Sequence, residues 1–85
     1  MPGGAKLVDI GEVDGPTAQR KYLVKLIKVP RIGDRLYDSA ANQVAVVRDV
    51  IGNVKRPVAI VEAARSDYVL KGTMRLFVQK SRGAR

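Results

Sequence analysis

Ile32-Gly33-Asp34-Arg35-Leu36-Tyr37-Asp38 and, a few polar residues later, Val44-Ala45-Val46-Val47-Arg48-Asp49-Val50-Ile51-Gly52-Asn53-Val54 are two apolar segments cornered by glycine. The run from Val44 to Ile51 is too short and too rich in β-branched residues for a helix, and Asp38-Ser39-Ala40-Ala41-Asn42-Gln43 before it has the composition of a turn. Pro30 before the pair and Pro57 after it cannot donate to a ladder, so each marks the end or the beginning of a strand. Short strands with glycine and proline at the corners are what a small β-barrel needs. Nothing in the stretch resembles a reaction centre, and it reads as part of a binding module.

Working outward, thirteen valines and five isoleucines against six leucines favour a pleated, half-buried surface throughout the chain. A first strand is expected at Leu7 to Ile10, with bend and turn chemistry from Gly11 to Pro16 and a polar stretch through Arg20. Tyr22 to Val29 reads as the second strand, with Tyr22, Val24 and Leu26 on one face and Lys25 on the other. Strands follow at Arg35 to Tyr37, Val44 to Ile51, Val58 to Ala63 and Thr73 to Val78, the last with Met74, Leu76 and Val78 on one face. The segment from Ala64 to Lys71 reads equally as one helical turn or a loop. The expectation is an all-β, six-stranded barrel over residues 6–79, because closure removes edges that would recruit other strands. Residues 1–5 and the basic tail 80–85 are expected to be disordered.

At 85 residues the chain is one domain with a small core. It has no cysteine and no histidine, which removes disulfides, thiolate zinc sites and the commonest general base. No metal and no cofactor is expected. No apolar run approaches the roughly 20 residues that span a bilayer, and the N-terminus does not read as a signal peptide, so a cytoplasmic location is expected. Asp34 and Asp38 are the nearest approach to a paired-carboxylate site, and both fall where turn residues bond their own backbone. The segment Gly11 to Gly15 lacks the lysine and hydroxyl ending of a phosphate loop. An enzyme is not expected.

Sixteen Lys and Arg against eight Asp and Glu leave a net charge of +8, which points to an anionic partner or assembly. Lys71-Gly72-Thr73-Met74-Arg75-Leu76-Phe77-Val78 begins like an RNA-recognition signature, but Thr73 and Arg75 stand where stacking aromatics belong. Only Tyr22, Tyr37, Tyr68 and Phe77 are aromatic, which is little material for a stacking platform. Lys80, Arg82 and Arg85 read either as weak phosphate contacts or as a solvated tail.

Protein docking is the other reading of the central stretch. Val50 and Ile51 are adjacent on one strand and point to opposite faces, so one of them is expected to face outward beside the Gly52 corner. Gly33 supplies a second corner of the same kind.

Pro30-Arg31-Ile32-Gly33-Asp34-Arg35-Leu36-Tyr37-Asp38, the run from Val44 to Val54, Pro57 and the closing Gly72-Thr73-Met74-Arg75-Leu76-Phe77-Val78 resemble the glycine-arginine-rich protein subunit of the H/ACA ribonucleoprotein in its archaeal form. That family's pattern is roughly P-x-I-G-x-x-V-Y-D, then I-G-x-V-x-D-V-F-G-P-V-x-x-P, then G-x-x-L-Y-V. Ala45 stands here for the family's glycine, Ile51 for its aromatic and Asn53 for its proline. The resemblance implies a split barrel of the translation-factor and reductase type and a non-catalytic role. The subunit would bind the catalytic subunit of a pseudouridine synthase within a guide-RNA particle and promote turnover of substrate RNA, with weak or indirect RNA contact of its own. By motif position it implies docking through Pro30, Ile32, Gly33, Val50, Ile51, Gly52, Val54 and Pro57. The charge keeps open an autonomous RNA-binding barrel, and the fold type a ribosome-binding module like those of translation factors.

Overall fold

The computed structural model describes residues 5–52, 55–65, 67 and 69–81. The apolar alternation becomes six strands: β1 (Ala5–Ala18), β2 (Lys21–Leu26), β3 (Arg35–Tyr37), β4 (Gln43–Ile51), β5 (Val58–Ala63) and β6 (Arg75–Ser81). They close into a barrel in the order β1-β2-β5-β4-β3-β6, every pairing antiparallel. The all-β barrel expected from sequence is therefore present, and the described residues, including those between 64 and 71, contain no helix.

β1 departs most from expectation. It runs on through Gly11-Glu12-Val13-Asp14-Gly15-Pro16, pairing its first half with β6 and its second with β2, and both neighbours meet at Gly11 and Glu12. Register shifts fall between Asp9 and Gly11, Val13 and Gly15, and Pro16 and Ala18. A strand that passes from one neighbour to the next around a barrel has to bend, and glycine and proline at bulges permit this. Turn-like composition here encodes curvature within a strand.

β2 stops at Leu26, three residues short of the expected Val29. The amides of Ile27 and Lys28 donate to the Ile10 carbonyl, at 2.8 and 3.3 Å, and lead the chain across the end of the barrel toward β3. This crossover, residues 27–34, ends where the Gly33 amide donates to the Val47 carbonyl (2.8 Å) and the Val47 amide to the Asp34 carbonyl (2.9 Å). Pro30 is its one buried residue. We call this end, where β2, β4 and β6 finish and β1, β3 and β5 begin, the mouth. At the opposite end the buried Leu70 does the same service in the β5–β6 connection.

The core holds Ile10, Val13, Val24, Leu36, Val47, Val61 and Leu76, all essentially inaccessible to water. Tyr22, Val24 and Leu26 share the inward face of β2 as their alternation requires. Ala45 is fully buried between its ladder partners Leu36 and Ala63, which explains a small residue at that position. β6 takes in Lys80 and Ser81, opposite Lys6 and Ala5, so these residues belong to the ladder and not to a free tail.

Candidate docking face at the barrel mouth

Among the described residues five large apolar side chains stand exposed: Ile27 (64%), Val29 (63%), Ile32 (65%), Ile51 (47%) and Val69 (76%). Four of them sit at the mouth, on the crossover or at the end of β4. Single exposed apolar residues are ordinary; several at one end make that end the candidate docking face.

The residues singled out from sequence divide into three groups. Ile32, Gly33, Ile51 and Gly52 are exposed at the mouth. Gly33 has φ of 94°, a left-handed conformation open to glycine at little cost, and it sets the corner that turns Ile32 outward. The bond from Gly33 to Val47 ties that corner to β4, and Ile51 lies at most about 13 Å further along the same strand by the rise per residue. Pro30 and Val50, in contrast, face inward. Pro30 is buried beneath the crossover, and Val50 is half-buried against the core, which leaves Ile51 as the outward member of that adjacent pair. Pro57 is half-buried and its carbonyl accepts the Leu26 amide at 3.1 Å, joining the start of β5 to the end of β2. Val54 lies outside the described residues, as do Arg82 and Arg85.

Ile27 and Val29 are members of the surface that sequence reasoning passed over. The signal was present: with Tyr22, Val24 and Leu26 inward, parity sends Ile27 and Val29 to the wet side with Lys25. Reading them as continuing a strand hid the fact that they leave it.

The charges are sorted just as unevenly. Arg75 of β6 bridges to Asp9 and Glu12 of β1, at 2.9 Å each, fastening the seam between those strands. Glu62 accepts from Arg48 at 2.8 Å with Arg20 at 3.8 Å, Lys25 meets Asp14 at 3.6 Å, and Arg65 meets Asp67 at 3.4 Å. The hydrogen bond from Arg48 holds the Glu62 carboxyl below the ordinary carboxylate range, helped by the nearby charges of Arg48, Arg20 and Lys21 and opposed by partial burial. Asp34 and Asp38, the candidate acid pair, both serve turns: Asp34 accepts the Arg31 amide, and Asp38 the amides of Ala40 and Asn42, each at 2.9 Å. Among the described residues no group of acidic side chains is placed to hold a metal ion. Lys6, Lys21, Lys28, Arg31, Arg35, Arg56 and Lys71 form no ion pair with another described residue, and all but Lys21 and Lys71 lie at or beside the mouth. The mouth is thus both apolar and cationic.

Compared with known protein families the chain matches none, and no curated protein is significantly similar to it. The described residues hold no helix long and apolar enough to cross a membrane.

Proposed function

We propose that this chain is a non-catalytic accessory subunit that docks a larger protein through the apolar mouth of its barrel. The reading that best accounts for its motifs is the H/ACA guide-RNA particle, with the pseudouridine synthase catalytic subunit as the partner. The observation that supports it is that Ile32, Gly33, Ile51 and Gly52 are exposed at the same end of the barrel, where the Gly33 amide donates to the Val47 carbonyl of β4. Ile27 enlarges that surface on the β2 side. Burying these side chains against a partner removes apolar area from water at roughly 25 cal/mol per Å² before the cost of association, while the surrounding cations steer an acidic partner into register.

The test is size-exclusion chromatography of this protein with the pseudouridine synthase subunit from the same organism, without RNA, over a range of salt. Apolar docking predicts a complex that persists as salt rises. A complex that dissolves at moderate salt replaces apolar docking with a purely electrostatic contact, and no complex at any salt removes the synthase as the partner.

A further inference from the structure

Two shallow hollows flank the lower part of β6. β3 and β6 pair through Tyr37 and Phe77 alone, and below that pair the strands part. Arg35 and Tyr37 line the opening on one side, Val78 and Gln79 on the other, with Asp34 at its end. The second hollow lies between β1 and the crossover, where Lys28 and Arg31 stand over Val8 and Pro30. Asp34 and Val78 line both, so the two form one trough curving around the mouth.

Its chemistry is one-sided. Lys28, Arg31 and Arg35 are exposed on its walls and unpaired among the described residues, and the single carboxylate, Asp34, already accepts the Arg31 amide through Oδ2. Leu36 between them is fully buried, so Arg35 and Tyr37 project together from the outer face of β3. Phe77, the ladder partner of Tyr37, is likewise half-exposed beside the buried Leu76, which makes an aromatic pair on the outside of the barrel. Sequence alone did not place these two rings side by side.

Unpaired cations along a groove with an aromatic face beside them are what a single nucleic-acid strand uses, phosphates on the cations and a base on the ring. A protein partner needs an apolar centre to exclude water around desolvated charge, and three of the four exposed mouth aliphatics, Ile27, Ile32 and Ile51, lie off the trough. The free oxygen of Asp34 and the side-chain amide of Gln79 offer partners for a 2′-hydroxyl, the group that distinguishes RNA from DNA. We infer that this trough binds a single strand of RNA, with Lys28, Arg31 and Arg35 holding phosphates and Tyr37 stacking a base. The trough adjoins the apolar docking group and shares Gly33 and Val29 with it, but Ile27, Ile32 and Ile51 line neither hollow, and the inference does not depend on the identity of the protein partner.

Fluorescence anisotropy of the full chain with a short, labelled single-stranded RNA of mixed sequence, over a salt series, tests it. Lys28→Ala/Arg31→Ala/Arg35→Ala alters exposed side chains only; it is expected to bind about tenfold or more weakly, with a salt slope reduced by ~2, at ~0.7 per phosphate contact. Tyr37→Leu is expected to weaken binding by about fivefold or more with the slope kept, and Tyr37→Phe to bind like the parent. Ile51→Asp should bind RNA unchanged, and DNA of the same sequence more weakly. Parental affinity and slope in the triple variant would move the contact elsewhere, to residues such as Arg82 and Arg85. Equal binding of DNA overturns the assignment to RNA, and no binding by the folded parent overturns the inference outright.

Discussion

The carbonyl oxygen of Lys25 occupies the space that a Cβ on Gly11 would need. The Lys25 carbonyl carbon and the Leu26 Cα are also close, at 2.9 and 3.0 Å from that point, and all three are backbone atoms that no rotamer change moves aside. Gly11 has φ of 149° and pairs with both Leu26 and Leu76, so the close approach occurs where β1 passes from one neighbour to the other. Gly11→Ala is expected to cost on the order of 3 kcal/mol or more, since a strained φ adds to the clash. Urea unfolding of the pair of proteins measures this. A variant as stable as the parent would mean that β1 and β2 separate easily at this point and that the closure is loose.

β3 is three residues long, and Leu36 is its only buried side chain. Since β3 is laddered to β6 through one residue pair, Leu36 is what holds that side of the barrel to the core. Leu36→Ala should cost about 2–5 kcal/mol. Hydrogen exchange should show the loss concentrated in β3 and its neighbour β4, whereas protection lost uniformly would show that β3 does not open separately.

These two residues also mark where sequence was informative and where it was not. The strand at Leu36 was legible because its surroundings agree: Gly33 before it, a polar turn after it and β-branched residues beyond. Gly11 was read as the start of a turn because glycine and proline look alike whether they end a strand or bend it, and only long-range pairing with β2 and β6 decides which. The limit of β2 has the same cause. Ile27 and Val29 have strand propensity, but the amides of Ile27 and Lys28 are drawn to the Ile10 carbonyl, a tertiary preference that local pattern does not contain. Within the docking face, parity fixed that one of Val50 and Ile51 points outward. Which of them does so follows from a bulge, the register shift between Val47 and Asp49, which the sequence does not announce.

Ala41 has φ of 68° in the turn between β3 and β4, where Asp38 accepts the amides of Ala40 and Asn42. The left-handed region costs a residue with a Cβ roughly 1–2 kcal/mol, part of which glycine gives back as unfolded-state entropy. Ala41→Gly is expected to stabilise the barrel by about 0.5–1 kcal/mol. A lower melting temperature would show that the turn relaxes without strain.

The depressed Glu62 carboxyl gives stability a defined pH dependence. Its contribution is complete above the ordinary carboxylate value of 4.5 and is lost as pH falls through the lower value held in the fold by Arg48. Glu62→Gln removes this titration. Thermal unfolding followed from neutral pH down into the acid range should therefore show a smaller acid loss for Glu62→Gln than for the parent. Equal losses would show that the acid sensitivity does not come from Glu62.

Ile51 separates a docking residue from a core residue by one substitution. Its side chain is outward at the end of β4 while Val50 beside it leans on the core, so a charge at position 51 remains in water in the free protein. Ile51→Asp is expected to keep the thermal transition within the ±0.5 kcal/mol usual for surface changes and to abolish the proposed complex with the synthase. Ile32→Asp, on the crossover, should act in the same direction, because both side chains belong to one surface. Removing residues 82–85, in contrast, should leave the complex intact and spare the ladder formed by Lys80 and Ser81. If Ile51→Asp melts well below the parent, its side chain packs against the core; if it binds as the parent does, the partner sits elsewhere on the barrel. Loss of binding in a stably folded Ile51→Asp that still holds RNA would separate the apolar face from the cationic trough at the same mouth.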